Sequence, residues 1–150
     1  MVSVNVSDGG VPKRAVERAL VSVDGMAGDR QRDLDHHGGH ERALCIYSAD
    51  LIDALRAEGH AIVVGAAGEN LTVRGVPWAG MTPGARFRAG TVEAEVTSYA
   101  NPCGNLRAWF AGGDIARVSQ KRHPGWSRVY ARVLQGGMIA VGDPFVLLAP

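Results

Sequence analysis

The sequence predicts a mainly β, strand-rich and barrel-like single domain over residues 1–150, with a few short helices between its strands. Three observations carry that expectation. Short apolar runs recur along the chain, many of them alternating apolar and polar residues. Turn pairs separate them: Asp24-Gly25, Pro83-Gly84, Gly136-Gly137 and Gly142-Asp143. Twenty glycines in 150 residues fit many turns and bulges better than long helices.

The elements follow in chain order. Val2, Val4 and Val6 alternate, and strands are expected again at Ala19–Val23 and Ala43–Tyr47. A helix should follow directly: Ser48 can cap it, Asp50 suits its positive end, Leu51, Ile52 and Leu55 form its apolar stripe, and Gly59 can end it. Further strands are expected at Leu71–Val73, Arg86–Arg88, Thr91–Ser98, Arg128–Leu134 and Phe145–Leu148. Between Thr91–Ser98 and Arg128–Leu134, Asn105–Phe110 and Asp114 to about Gln120 read as helical.

Composition narrows the function. The apolar fraction is 46% and the net charge is +1, so no strong field draws the chain to nucleic acid or to a membrane surface. Lys13 and Lys121 are the only lysines, and arginine supplies the remaining positive charge. Arginine suits recognition of phosphates and carboxylates, although a GC-rich genome produces the same usage. Met1–Val6 has no basic n-region, and no uncharged apolar run approaches the roughly 18–20 residues of a membrane span. Two cysteines far apart in sequence form neither a disulfide framework nor a CxxC knuckle, and a reduced, cytoplasmic protein is expected.

Three segments carry chemistry. The first is Asn101-Pro102-Cys103-Gly104-Asn105, directly after the strand in which Val92, Ala94 and Val96 share one face. Proline stops the ladder and glycine frees the chain beyond the sulfur, which places the Cys103 thiol on a turn where it can reach a ligand. Cys45, by contrast, lies within an apolar strand and reads as core.

The second segment runs from Gly28 to His40 and is dense in ionisable groups. Gly38 and Gly39 can turn successive N–H groups toward one point, as in an anion nest. His37 can donate beside them, and Arg30, Arg32 or Arg42 can add charge-assisted contacts; a solvated Gly-Gly loop is the plainer alternative. Zinc is not expected from His36, His37 and His40. Adjacent histidines point apart in an extended chain, and a helical HxxxH is absent. The third segment is Gly68-Glu69-Asn70-Leu71, where Glu69 and Asn70 are expected at a rim, Asn70 offering both a donor and an acceptor; an Asx turn that only starts the strand is the alternative.

Taken with Val11-Pro12-Lys13, Gly28-Asp29-Arg30-Gln31, His37-Gly38-Gly39, Gly68 to Thr72, Pro102-Cys103 and Gly136 to Asp143, these segments resemble the MOSC family, named for the C-terminal domain of molybdenum-cofactor sulfurase. The match runs in order through nearly the whole chain, and the chain looks like a small stand-alone bacterial member. The resemblance implies a barrel-like fold and a molybdenum-cofactor (molybdopterin) site. Cys103 would be the metal or sulfur ligand and catalytic residue; His37, Gly38, Gly39, Glu69, Asn70, Arg30 and Asn101 would be cofactor-binding. Members similar to the bacterial proteins that detoxify N-hydroxylated bases often carry an arginine three residues before the cysteine, where this chain has Ala100; Arg107 is the candidate replacement.

Three functions are then open. One is reduction of N-hydroxylated small molecules, with electrons from a separate donor protein because the chain shows no flavin or iron–sulfur motif. Another is a sulfur-carrier or cofactor-handling module with a Cys103 persulfide. The last is a non-catalytic binding domain. Pyridoxal phosphate is not expected here, because neither lysine lies in a Schiff-base context.

Overall fold

The computed structural model describes residues 1–30 and 39–150. An eight-stranded sheet forms its frame, in the order β11-β7-β8-β9-β5-β6-β1-β2. Its members in chain order are β1 (Ser3–Val6), β2 (Arg14–Val16), β5 (Leu44–Ser48), β6 (Leu71–Val73), β7 (Arg86–Ala89), β8 (Val92–Ala100), β9 (Arg128–Gln135) and β11 (Phe145–Leu147). All neighbours are antiparallel except β5 and β6, which run parallel and therefore need a crossover. Helix α1 (Ala49–Ala57) begins that crossover.

Local chemistry accounts for the elements that position the rest. In β8, Val92, Ala94 and Val96 are fully buried while the residues between them are half-buried, as period-2 alternation requires. Every residue of β5 is buried, because sheet neighbours flank both edges and packed side chains cover both faces. The Ser48 hydroxyl accepts from the Leu51 N–H at 3.2 Å, capping α1, whose Ile52 and Leu55 are buried. Gly59 leaves the helix at φ 101°, a conformation that other residues adopt only under strain.

A second, three-stranded sheet, β10-β3-β4, is built from β3 (Arg18–Ser22), β4 (Gly25–Met26) and β10 (Gly137–Ala140). Its Ala19, Val21, Met26 and Ile139 join Val4, Leu44, Phe87 and Val129 in one apolar core. A smaller core lies under α1 and includes Tyr47, Leu55, Ile62, Leu106 and Phe110.

Three expectations need correction. The sheet is not closed into a barrel: among the described residues β2 and β11 remain its edges. After β2 the chain leaves the large sheet, because β3 pairs with β10 and β4 instead. The two helical regions beyond Cys103 are 3₁₀ turns, at Gly104–Trp109 and Ile115–Val118. Neither has a side-chain cap, and Gly112 and Gly113 take positive φ between them, so no α-helix propagates. The Gly136-Gly137 pair, expected as a turn, instead leads straight from β9 into β10, where a Cβ on Gly136 would sit 2.6 Å from the Val21 carbonyl oxygen of the neighbouring strand. No helix among the described residues is long and apolar enough to cross a membrane.

Candidate functional site

The site is a cavity of about 410 Å³ at the end of the sheet where β8 runs out. Residues 101–105 form one wall, the loop Gly10–Lys13 and the turn Ala67–Gly68 another, and Cys45, Arg128 and Tyr130 the floor. Cys103 has extended backbone (φ −121°, ψ 167°) and is half-buried; Pro102 precedes it and the 3₁₀ turn follows. The Cys103 carbonyl accepts from the Leu106 N–H at 3.0 Å, and the fully buried Leu106 side chain anchors that turn in the core. A thiol on a turn at the cavity wall is the arrangement expected from proline and glycine on either side of it.

Arg128 fixes the walls relative to each other. Its side chain is buried, one Nη donates to the Ala67 carbonyl at 2.8 Å, and the other donates to the Asn101 carbonyl at 2.9 Å. One guanidinium therefore ties the turn before β6 to the turn carrying Cys103. Arg128 is the cross-strand partner of Ala100. Ala100 itself packs with Cys45 and Tyr130, so the position without an arginine has one directly opposite it in the ladder. Arg107 is exposed and does not line the cavity.

Beneath the cavity lies a buried polar cluster. Lys13 Nζ meets Asp29 Oδ1 at 2.6 Å, with both side chains about 95% buried. The same carboxylate accepts from the Ser7 N–H at 2.9 Å and from the Asn70 amide at 2.8 Å. Asn70 Oδ1 in turn accepts from the Cys45 N–H at 2.9 Å, and the Asn70 N–H donates to the Cys45 carbonyl at 2.8 Å. A buried ion pair is tolerated best when its other polar atoms are matched, and here the Ser7 N–H and the Asn70 amide match the Asp29 carboxylate. Glycine makes the approach possible: a Cβ on Gly65 would collide with the Lys13 carbonyl.

The rim placement expected for Glu69 and Asn70 is therefore corrected, since both are fully buried. Glu69 receives a hydrogen bond from the Thr72 hydroxyl at 3.0 Å, while its other carboxyl oxygen is buried without a partner. Burial holds this carboxyl above the usual carboxylate range, which favours the neutral form that an unpaired buried oxygen tolerates best. Asn101 lines the cavity, whereas Arg30 lies outside it, exposed and 3.9 Å from Asp8. Gly39 takes φ 79° and leads into the 3₁₀ turn His40–Arg42. Arg42 lines the cavity with its guanidinium carbon 5.4 Å from the centre of the Tyr130 ring. The candidates His37 and Gly38 fall outside the described residues.

Burial governs the two weak acids of the floor, Cys45 and Tyr130. It pushes the Cys45 thiol up to about 11 and the Tyr130 phenol up to about 12, so both stay protonated near neutral pH. Sequence reading missed Asp29 and Arg128 as site-building residues, and took Lys13 only as part of a motif. Their partners lie far along the chain, and only the adjacency of Gly28-Asp29 and Glu69-Asn70 to turns hinted at them.

Comparison with known proteins points to one family. A model described as the MOSC domain matches residues 33–146. The uncharacterized protein YflK of Bacillus subtilis is 30% identical over 142 residues, and protein YiiM of Escherichia coli is 30% identical over 145. Each alignment covers 93% of this chain and 63% of the relative, so the chain spans less than two thirds of the curated relatives it matches. The crystal structure of YiiM from Geobacillus stearothermophilus superimposes with a TM-score of 0.76 at 26% identity, covering 99% of this chain and 74% of that one. A crystal structure described as a hypothetical protein gives 0.77 at 26% identity, covering 99% and 67%.

Proposed function

This chain belongs to the MOSC domain family, and on that premise we propose that its cavity binds molybdenum cofactor through Cys103 and reduces N-hydroxylated small molecules. One observation supports the reading most: a half-buried thiol on a turn faces a cavity whose charged lining residues, among the described ones, are Arg42, Arg128 and the Asp29-paired Lys13, all cations. The donor set fits the group. A thiolate is a soft ligand suited to molybdenum, and guanidinium and ammonium groups suit the phosphate of a pterin tail. The volume lies within the range of cofactor pockets, roughly 300–1,000 Å³. Among the described residues no cluster of three histidine, cysteine or acidic side chains forms a separate metal site.

Each wall residue has a part in this reading. Cys103 supplies the protein's ligand. Cys45 stays a neutral thiol, so no second thiolate competes for the metal. Arg128 holds the Cys103 turn against Ala67, which keeps the sulfur in one place. The cofactor supplies two-electron oxygen-transfer chemistry. In the net reaction the N–O bond breaks, the nitrogen takes two electrons and a proton, and the oxygen leaves with a second proton as water. The electrons come from a separate donor protein.

A second reading has its own support, because a half-buried thiol on a turn also suits a persulfide carrier. One experiment divides the two. Protein made in cofactor-competent and cofactor-deficient hosts is analysed for molybdenum and for persulfide, as wild type and as Cys103→Ala. The reductase reading expects molybdenum only in wild type from the competent host. Persulfide on Cys103 with no molybdenum favours the carrier, and neither signal contradicts both.

A further inference from the structure

Cations gather unmatched in the segment that follows Cys103. Between Asn101 and Ser127 the only carboxylate is Asp114, whereas Arg107, Arg117, Lys121 and Arg122 are all cations. Arg107, Lys121 and Arg122 are exposed, and among the described residues none of the three forms an ion pair. On the sheet the pattern is the opposite. Arg86 meets Glu95 at 3.0 Å, Arg88 meets Glu93 at 2.7 Å, and Arg132 meets Glu95 at 2.7 Å. A matched charge is largely cancelled by its neighbour, while an unmatched one projects its field into solvent. The whole chain carries only +1, so this field is local.

The backbone that presents these cations is preformed. Arg117 is held by Glu58 through Nε at 2.8 Å and Nη2 at 2.7 Å, and its guanidinium carbon lies 3.8 Å from the centre of the Trp126 ring. The Trp126 N–H donates to the His123 carbonyl at 3.1 Å, and the His123 N–H donates to the Ser119 carbonyl at 2.7 Å. The turn bearing Lys121 and Arg122 is thereby closed. The Tyr47 hydroxyl, donating to the Trp126 carbonyl at 2.7 Å, pins its far end to the core. A preformed turn lowers the ordering cost of docking on it.

This surface adjoins the Cys103 cavity. Arg107 stands on the 3₁₀ turn Gly104–Trp109 that leaves the cavity wall, and that turn packs on Ile115–Val118, just before the cationic turn. From the other side, Gln120, Pro124 and Gly125 border a smaller cavity of about 270 Å³, whose wall Tyr99 also lines the Cys103 cavity. Half-buried Trp109 and exposed Pro124 add apolar area among the cations. Aromatic and arginine side chains side by side are the anchors of protein–protein interfaces.

We propose that Arg107, Trp109, Lys121 and Arg122 form the docking face for an acidic electron-donor protein. The proposal rests on the reading of the Cys103 cavity as a reductive site, and it adds where the donor binds and which charge it bears. The donor is oxidised by two electrons per turnover, the pair consumed when the N–O bond breaks. Unmatched cations steer a carboxylate-rich patch to the side of the domain where those electrons are needed.

The first arm of the test needs no cofactor. A plant-type ferredoxin, an acidic iron–sulfur protein, is titrated into the labelled protein and followed by amide and indole N–H chemical shifts, with a basic cytochrome c as the opposite-charge control. Ferredoxin should perturb Arg107, Trp109, Lys121 and Arg122, in wild type and in Cys103→Ala alike, with an affinity that falls as salt is added, and cytochrome c should not. The double variant Lys121→Glu/Arg122→Glu should weaken ferredoxin about tenfold, and the control Arg14→Glu/Arg18→Glu, equal in charge change but on other strands, should not. A footprint elsewhere, no ferredoxin binding, equal losses in the two double variants, or a DNA duplex binding as tightly at the same residues would overturn the proposal. With cofactor-loaded protein, Lys121→Glu/Arg122→Glu should raise the KM for ferredoxin about tenfold and leave the rate with dithionite, a small reductant, unchanged. Absence of N–O reduction by dithionite in wild type, with ferredoxin still bound at Lys121 and Arg122, would count against the reaction assigned to Cys103 and leave the docking face standing.

Discussion

Cys45 and Cys103 face one cavity from two kinds of backbone. Cys45 sits in β5 with β9 on one side and β6 on the other, and Asn70 takes both its N–H and its carbonyl. The residue is 4% exposed and its thiol is pushed up to about 11 by burial. Cys103 sits past the end of β8, where Pro102 has stopped the ladder, and is held through its turn by Leu106 and through Asn101 by Arg128. The same atom type thus becomes wall in one place and candidate ligand in the other. The difference lies in how the backbone around each sulfur is satisfied: a paired strand buries its side chain, and a turn anchored from below presents it.

Substitutions below Cys45 should break its side of this comparison first. Lys13→Met strands the buried Asp29 carboxylate and should destabilise the protein by about 3–5 kcal/mol, measured by urea unfolding. A loss below about 1 kcal/mol, the level of an exposed pair, would mean the cluster is not buried as described. Next comes Asn70→Ala, which removes the acceptor of the Cys45 N–H and should cost about 1–3 kcal/mol. It should also speed alkylation of Cys45, making the two thiols more alike.

The pH dependence sharpens the contrast further. Because burial raises the Glu69 carboxyl in the folded state, the folded protein binds that proton more tightly than the unfolded chain. Its contribution is complete below the ordinary carboxylate range and declines as pH rises above that range, levelling once Glu69 ionises in the folded protein. Glu69→Gln stays neutral and should flatten this part of the stability–pH curve. An unchanged slope would show that Glu69 is ionised in the fold. The smallest stability effect is expected for Cys103→Ala, within about 0.5 kcal/mol, because a turn-borne thiol adds little packing. A larger loss would move Cys103 into the core with Cys45.

Much of this contrast is legible in sequence. Alternation in Thr91–Ser98, the proline after it and the apolar run around Cys45 separate turn from strand by local rules alone. The Ser48 cap and the Gly59 stop are equally local, and α1 lies where they place it. What local rules could not show is which polar residues are interior. Asp29 and Asn70 stand in glycine-flanked turns that look solvated, and only contacts across 16 and 41 residues bury them. Arg128 looks like any polar residue opening a strand, until its two carbonyl partners are seen. The 3₁₀ turns after Cys103 share a helix's apolar spacing, but they lack the caps and length that propagate one.

Brief alkylation of the native protein near pH 8, followed by peptide mapping, tests the central claim most directly. The account predicts early labelling of Cys103 and slow labelling of Cys45, whose thiol is buried and stays protonated at that pH. Preferential labelling of Cys45, or equal rates at the two cysteines, would contradict it.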